Sequence, residues 1–198
     1  AAEALGSYHN RKHLGTFGKI GVLSFNGNKI ITTGGGGALI TNNKNLAIKA
    51  RYLATTAKKK HPFKFLHTEI GYNYRMPNIN ASLGCSQINK LDKYLISKRN
   101  LAKKYYEVFK DNQFFDFYLE PRNSQSNYWF QTIILKKKYK KYKNSILNNL
   151  NRNGIKCRPA WNTLHSLQPF KNCPKMNLDT TSDLYDRIIN IPSSPNLV

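Results

Sequence analysis

Acidic residues are scarce: Asp and Glu number 10 against 32 Lys and Arg, a formal net charge of +22. Such an excess can mark a nucleic-acid partner. The distribution argues otherwise, because the lysines run from end to end in short clusters such as Lys58–Lys60 and Lys136–Lys138. They travel with abundant Asn, Ile and Tyr, and no arginine-rich or base-stacking motif accompanies them. Nucleic acid is therefore set aside as the main partner, while phosphorylated substrates stay compatible with the charge. Long apolar runs are lacking too, and none approaches the roughly 18 residues of a membrane-spanning helix, so no membrane partner is expected. Only three cysteines occur, Cys85, Cys157 and Cys173, with no C-x-x-C pair. Their odd number and wide spacing exclude a disulfide framework and a zinc site, and predict thiols in a reducing, cytoplasmic setting. The opening Ala1-Ala2-Glu3-Ala4 has no charged-then-apolar leader and suggests a fragment that starts inside a larger domain.

What is present is enough for a core, with 40% hydrophobic and 12% aromatic residues, which excludes a disordered chain. Ile20–Phe25 and Ala38–Thr41 read as short strands, separated by the turn chemistry of Asn26-Gly27-Asn28. Leu46–Ala57 has helical spacing, and 58–68 reads as a polar loop dotted with aromatics. Pro77 opens the longest periodic stretch, with Ile79, Leu83, Ile88, Leu91, Leu95, Leu101, Tyr105 and Val108 on one stripe. It predicts a long packing helix bent or broken near Ser97. Beyond Pro121, a strand is predicted over 128–135, a helix over 139–151 capped by Asn153-Gly154, a strand over 155–160 and a helix over 179–189.

The stretch Ser24–Gly37, SFNGNKIITTGGGG, holds one lysine in an Asn/Gly turn ahead of four glycines. The order is wrong for a phosphate-binding P-loop, whose lysine follows its glycines at a helix start. No G-x-G-x-x-G opens a helix after a strand either. The glycines read as a close backbone approach or as a loose turn. Lys29 reads as a surface lysine or as an amine fixed for covalent chemistry, which needs burial and loss of its proton.

The whole string SFNGNKIITTGGGGALITNN resembles the lysine segment of the DegT/DnrJ/StrS family of nucleotide-sugar aminotransferases, in the legionaminic acid or bacillosamine branch. AAEALGSY with HLGTFGKIGVLSF, EIGYNYRMPNINASLGCSQINKLD, GIKCRPAWNTLH and NIPSSPNL resemble further family segments in the same order. The resemblance implies an α/β protein of the pyridoxal-phosphate-dependent transferase fold, aspartate aminotransferase type (fold type I). Residues 1–76 would be the C-terminal part of the large mixed-sheet domain that binds the cofactor. Residues 77–198 would be the connecting helix and a small C-terminal α+β domain.

It further implies that Lys29 bonds covalently to pyridoxal 5'-phosphate and later shuttles the substrate proton. Ser24 would hold the cofactor phosphate, and Asn73 would reach the phosphate of a cofactor bound mainly by the neighbouring subunit of a homodimer. Glu3 would stand beside the pyridine ring, and His165 and Tyr74 are candidate substrate contacts. The implied reaction is amination at C4 of a nucleotide-linked 4-keto-6-deoxy hexose with glutamate as donor. Dehydratases that use the same cofactor carry His in place of the lysine, so Lys29 argues against them. The aspartate that pairs with the pyridine nitrogen is expected just before Ala1, so the fragment alone is expected to be inactive. Gly35 stands where many relatives have Glu. The alternative from another class is a non-catalytic relative that regulates or binds.

Overall fold

A computed structural model describes residues 1–198. In chain order the elements are β1 (Tyr8–His9), β2 (Lys12–His13), β3 (Gly21–Ser24), β4 (Gly37–Ile40), α1 (Lys44–Ala54), β5 (Lys58–Lys59), β6 (Leu66–His67), α2 (Asn78–Ile88) and α3 (Leu91–Phe109). They continue with β7 (Phe115–Phe117), β8 (Ser124–Gln125), β9 (Gln131–Leu135), α4 (Lys143–Arg152), β10 (Arg158–Pro159), α5 (Asp179–Arg187) and β11 (Ile188–Ile191). Two units emerge, one of residues 1–96 with 121–129, the other of 97–120 with 130–198. The division falls inside α3, whereas the sequence reading drew its boundary at residue 76. No helix is long and apolar enough to cross a membrane.

In the first unit, β3 and β4 form an antiparallel hairpin in the register Gly21↔Ile40 to Ser24↔Gly37. Gly21 and Gly37 are needed there: a Cβ on Gly21 would lie 1.9 Å from the Gly15 carbonyl oxygen, and one on Gly37 2.4 Å from that of Leu23. Helix α1 begins where Asn43 caps it, its side chain accepting from the Leu46 amide at 3.1 Å. It stops at Ala54 because Thr56 and Ala57 take left-handed backbone angles, φ 62° and 50°, so the helix predicted to Ala57 is shorter. The predicted loop 58–68 contains the small hairpin of β5 and β6. The long helix breaks at Asn89–Lys90 and not near Ser97. Ser97 lies within α3, its hydroxyl donating to the Pro195 carbonyl.

The second unit is built on an antiparallel sheet of order β10-β11-β9-β7. Along β9, Gln131, Ile133 and Leu135 are buried in alternation with half-buried Thr132 and Ile134, the period of a strand with one covered face. Ile189 is paired opposite Ile133, and both are buried. The helix predicted over 179–189 therefore ends at Arg187. Ile188, Ile189 and Ile191 are β-branched and belong in the middle of the sheet, where such side chains pack well. Tyr128, at φ 44°, stays outside β9, which starts at Gln131. Gly154, at φ +79°, ends α4 as expected of a left-handed cap.

Candidate active site

The turn that carries Lys29 is tied down along its length. The Phe25 amide donates to the Gly36 carbonyl at 2.9 Å, and the Phe25 carbonyl accepts from the Thr33 amide at 2.9 Å and the Thr32 hydroxyl at 3.0 Å. Ile31 and Thr33 are buried at 3% exposure each, so the turn is pinned by its apolar and hydroxyl side chains. The Lys29 amide closes the tight turn on the Asn26 carbonyl at 3.1 Å. Helix α2 approaches the same turn: the Asn80 side-chain Nδ2 donates to the Thr33 carbonyl at 2.6 Å. A Cβ on Gly84 would come within 2.9 Å of the Thr33 methyl.

The glycine run resolves into individual roles. Gly34 and Gly36 have φ of +78° and +113°, which other residues rarely adopt. Gly36 also faces Met76, whose methyl would be 2.9 Å from an added Cβ. Gly35 has open space around its Cα. Both sequence readings hold, at different residues: close approach at Gly36 and Gly37, an unconstrained turn position at Gly35.

Held this way, the Lys29 side chain is only 12% exposed, and its Nζ donates to Glu3 Oε1 at 2.5 Å. The ammonium also lies 4.0 Å from the centroid of the Trp129 ring, a cation–π geometry worth about 0.5–2 kcal/mol. Trp129 is itself positioned by its indole N–H, which donates to the Asn28 carbonyl at 2.6 Å. Asn127 fixes the Glu3 segment, its side-chain amide donating to the carbonyls of Glu3 at 2.6 Å and Leu5 at 2.9 Å. A lysine side chain is thus held in one direction by a carboxylate and an aromatic face, the fixed placement that covalent chemistry on an amine requires.

Ser24 lies at the end of β3, and its amide donates to the Ala2 carbonyl at 3.3 Å, which brings it to the segment that carries Glu3. Ser24, Glu3 and Lys29 are therefore neighbours. Asn73 pairs by a backbone bridge with Thr55, and its exposed side chain has no hydrogen-bond partner. Tyr74 stacks on Tyr72, ring centroids 5.1 Å apart, and lines a groove with β3, β4 and α1. His165 belongs to the second unit, with Nε2 3.3 Å from the Thr163 hydroxyl. Sequence reasoning missed Trp129 and Asn127, which lie about a hundred residues downstream of the atoms they serve. No local pattern marks either residue.

The DegT/DnrJ/EryC1/StrS aminotransferase family matches residues 1–198. EpsN of Bacillus subtilis (strain 168) is 36% identical over 201 residues, covering 100% of this chain and 51% of that protein. The GDP-perosamine synthase of Escherichia coli O157:H7 is 34% identical over 198 residues, covering 99% of this chain and 52% of that protein. Among solved structures, Helicobacter pylori PseC, an aminotransferase of pseudoaminic acid biosynthesis, superposes with a TM-score of 0.93 at 29% identity. It covers 100% of this chain and 54% of PseC. The chain spans about half the length of the relatives it matches. Its α/β architecture is that of the fold type I pyridoxal-phosphate-dependent sugar aminotransferases. The sequence motifs, the lysine turn and the superposition agree: this chain belongs to the DegT/DnrJ/EryC1/StrS aminotransferase family.

Proposed function

We propose that the full-length protein is a pyridoxal-phosphate-dependent aminotransferase that moves an amino group from glutamate to C4 of a nucleotide-linked 4-keto-6-deoxy hexose. The observation that carries this reading is the Lys29 amine, withdrawn from solvent on a pinned turn between the Glu3 carboxylate and the Trp129 ring. Family members depend on pyridoxal phosphate, and the residues present fit that group. Lys29 offers the amine its aldehyde requires, and Ser24 and the unpartnered Asn73 offer neutral donors for its phosphate. When bound, the cofactor supplies a carbonyl for the amine and a conjugated ring that stabilises negative charge on the neighbouring carbon.

The chain's own residues then have separable tasks. Glu3 Oε1 accepts the hydrogen bond of Lys29 Nζ and holds it at the tip of the turn. Trp129 limits the directions the amine can take. Once released, Lys29 Nζ carries the proton to and from the reacting carbon. Asn73, exposed on its own subunit, would serve the neighbouring subunit of a homodimer with shared active sites. In this reading residues 1–76 complete the cofactor-binding domain of the longer protein, and His165 and Tyr74 contact substrate.

The motif resemblance points to sugars of the legionaminic acid and bacillosamine routes to bacterial surface glycans, and the free thiols of Cys85, Cys157 and Cys173 suit a cytoplasmic enzyme. The test is incubation of the full-length protein, loaded with cofactor, with glutamate and the UDP-, GDP- and dTDP-linked keto-sugars. An amino-sugar nucleotide formed together with 2-oxoglutarate is the expected result. Absence of amino-sugar product from every keto-sugar would sink the reading.

A further inference from the structure

Thr55, the segment 58–62 that begins with β5, and Arg75 frame a pocket of about 700 Å³ that the chemistry of Lys29 does not use. Lys58, Lys59, Lys60, His61 and Arg75 line it, and no acidic residue does. None of the three lysines nor Arg75 forms an ion pair. Lys58 instead rests its ammonium 4.1 Å from the Phe65 ring centroid, which orients a cation without neutralising it. Gathering like charges around one concavity is unfavourable unless an anion joins them.

The backbone beneath the lysines is constrained as well. Thr56 and Ala57 are consecutive left-handed residues, and neither is Gly or Asn. Such residues persist only where their surroundings over-determine them. Here they do: the Thr56 amide donates to the Tyr72 carbonyl at 2.9 Å, and the Ala57 amide to the Tyr52 carbonyl at 3.0 Å. His67 Nδ1 lies 2.8 Å from the Thr56 carbonyl oxygen. Gly71 allows the approach, since a Cβ there would stand 2.3 Å from the Ala57 nitrogen. His61 is fixed too, its Nδ1 accepting from the amides of Phe63 at 3.1 Å and Lys64 at 2.9 Å. The donor of its neutral ring is therefore the Nε2–H.

We propose that this hairpin is a binding site for a phosphate-class anion, held by Lys58, Lys59, Lys60 and Arg75 with the His61 Nε2–H as a further donor. The strained Thr56–Ala57 pair sets the direction in which the lysine run leaves α1. The anion is either the diphosphate of a nucleotide or free inorganic phosphate and pyrophosphate, which share this chemistry. The site stands on the hairpin alone, independent of any reaction at Lys29.

The test is calorimetric titration of the full chain with inorganic pyrophosphate, without pyridoxal phosphate, so its failure would leave the Lys29 reading untouched. Two triple variants carry the same charge change: Lys59→Gln/Lys60→Gln/Arg75→Gln in the hairpin, and Lys137→Gln/Lys138→Gln/Lys141→Gln in the second unit. Saturable binding should weaken on the order of tenfold in the hairpin triple and by less than about twofold in the remote triple. Equal weakening in both, or no saturable binding by the unsubstituted chain, would overturn the site and leave only diffuse attraction to a basic surface. If circular dichroism shows the hairpin triple misfolded, Lys59→Arg/Lys60→Arg/Arg75→Lys decides: retained binding supports the site and loss refutes it. UDP or GDP binding more tightly than pyrophosphate would assign the site to a nucleotide. Displacement no tighter than pyrophosphate would assign it to the free anions.

Discussion

Both units withdraw lysines from water, Lys29 in the first and Lys98 and Lys143 in the second, and Lys29 and Lys98 are treated differently. Lys29 in the first unit meets a carboxylate and an indole face at the tip of a turn. Lys98 in the second unit, 5% exposed within α3, donates to the carbonyl and the hydroxyl of Ser193. Burial pushes the Lys98 ammonium down to about 8. By depth alone Lys98 would be the better candidate for a reactive amine. Its partners give it a structural task, because the bonds to Ser193 fasten the segment after β11 to the helix. Tyr105 reinforces that fastening, its hydroxyl donating to the Pro192 carbonyl at 3.1 Å. What sets Lys29 apart is a tight turn that aims it and a place beside Ser24 and Glu3.

The largest effect expected from this contrast concerns catalysis. Lys29→Ala should lower amino transfer by the full-length protein on the order of 10³-fold, whereas Lys98→Met should leave the rate of the folded enzyme within a small factor. A comparable loss in both, measured on protein that melts cooperatively, would erase the distinction.

The next effect is one of stability against pH. An unfolded lysine titrates near 10.5 and the folded Lys98 near 8, so between these values the unfolded chain binds more protons. Stability should therefore rise with pH across that window, by up to about 3 kcal/mol from this residue. Chemical denaturation at pH 7.5 and 9.5 should show the rise in the unsubstituted protein and a smaller one in Lys98→Met. Parallel profiles would mean that Lys98 does not titrate there.

Smaller effects probe the frame of the Lys29 turn. Gly37→Ala drives a Cβ against the Leu23 carbonyl oxygen of the paired strand and should cost about 1–3 kcal/mol. Glu3→Gln removes the charge of a half-exposed partner of Lys29 and should change stability by less than about 1 kcal/mol. Gly35→Glu adds a side chain at a position with open space and should stay within about 0.5 kcal/mol. Thermal melts of the three variants rank them directly.

Much of this was legible in the sequence where the determinants are local. The Asn/Gly turn, the two flanking strands and the Gly154 cap all rest on nearby residues; the stripe read as packing is buried at Leu95 and Leu101 but exposed at Ile79, Leu83, Ile88 and Val108. Errors arose where a distant partner decides. Ile188–Ile191 fits the end of a helix by spacing, yet its place opposite Gln131–Ile134 makes it a central strand. The break at Asn89–Lys90 has no Pro or Gly to announce it. At the site, Lys29, Ser24 and Glu3 were legible through resemblance to the family, and the structure brings them together. Trp129 and Asn127 were not, because only the fold carries them to the turn. The hairpin lysines were read as one cluster among many; their concavity and their strained support exist only in three dimensions.

The central claim is that Lys29 is the covalent lysine. Full-length protein should be mixed with pyridoxal phosphate, reduced with borohydride, digested, and the pyridoxyl group located by mass spectrometry. The account predicts attachment at Lys29 and none at Lys98. Folded protein labelled at another lysine, or not at all, would contradict it.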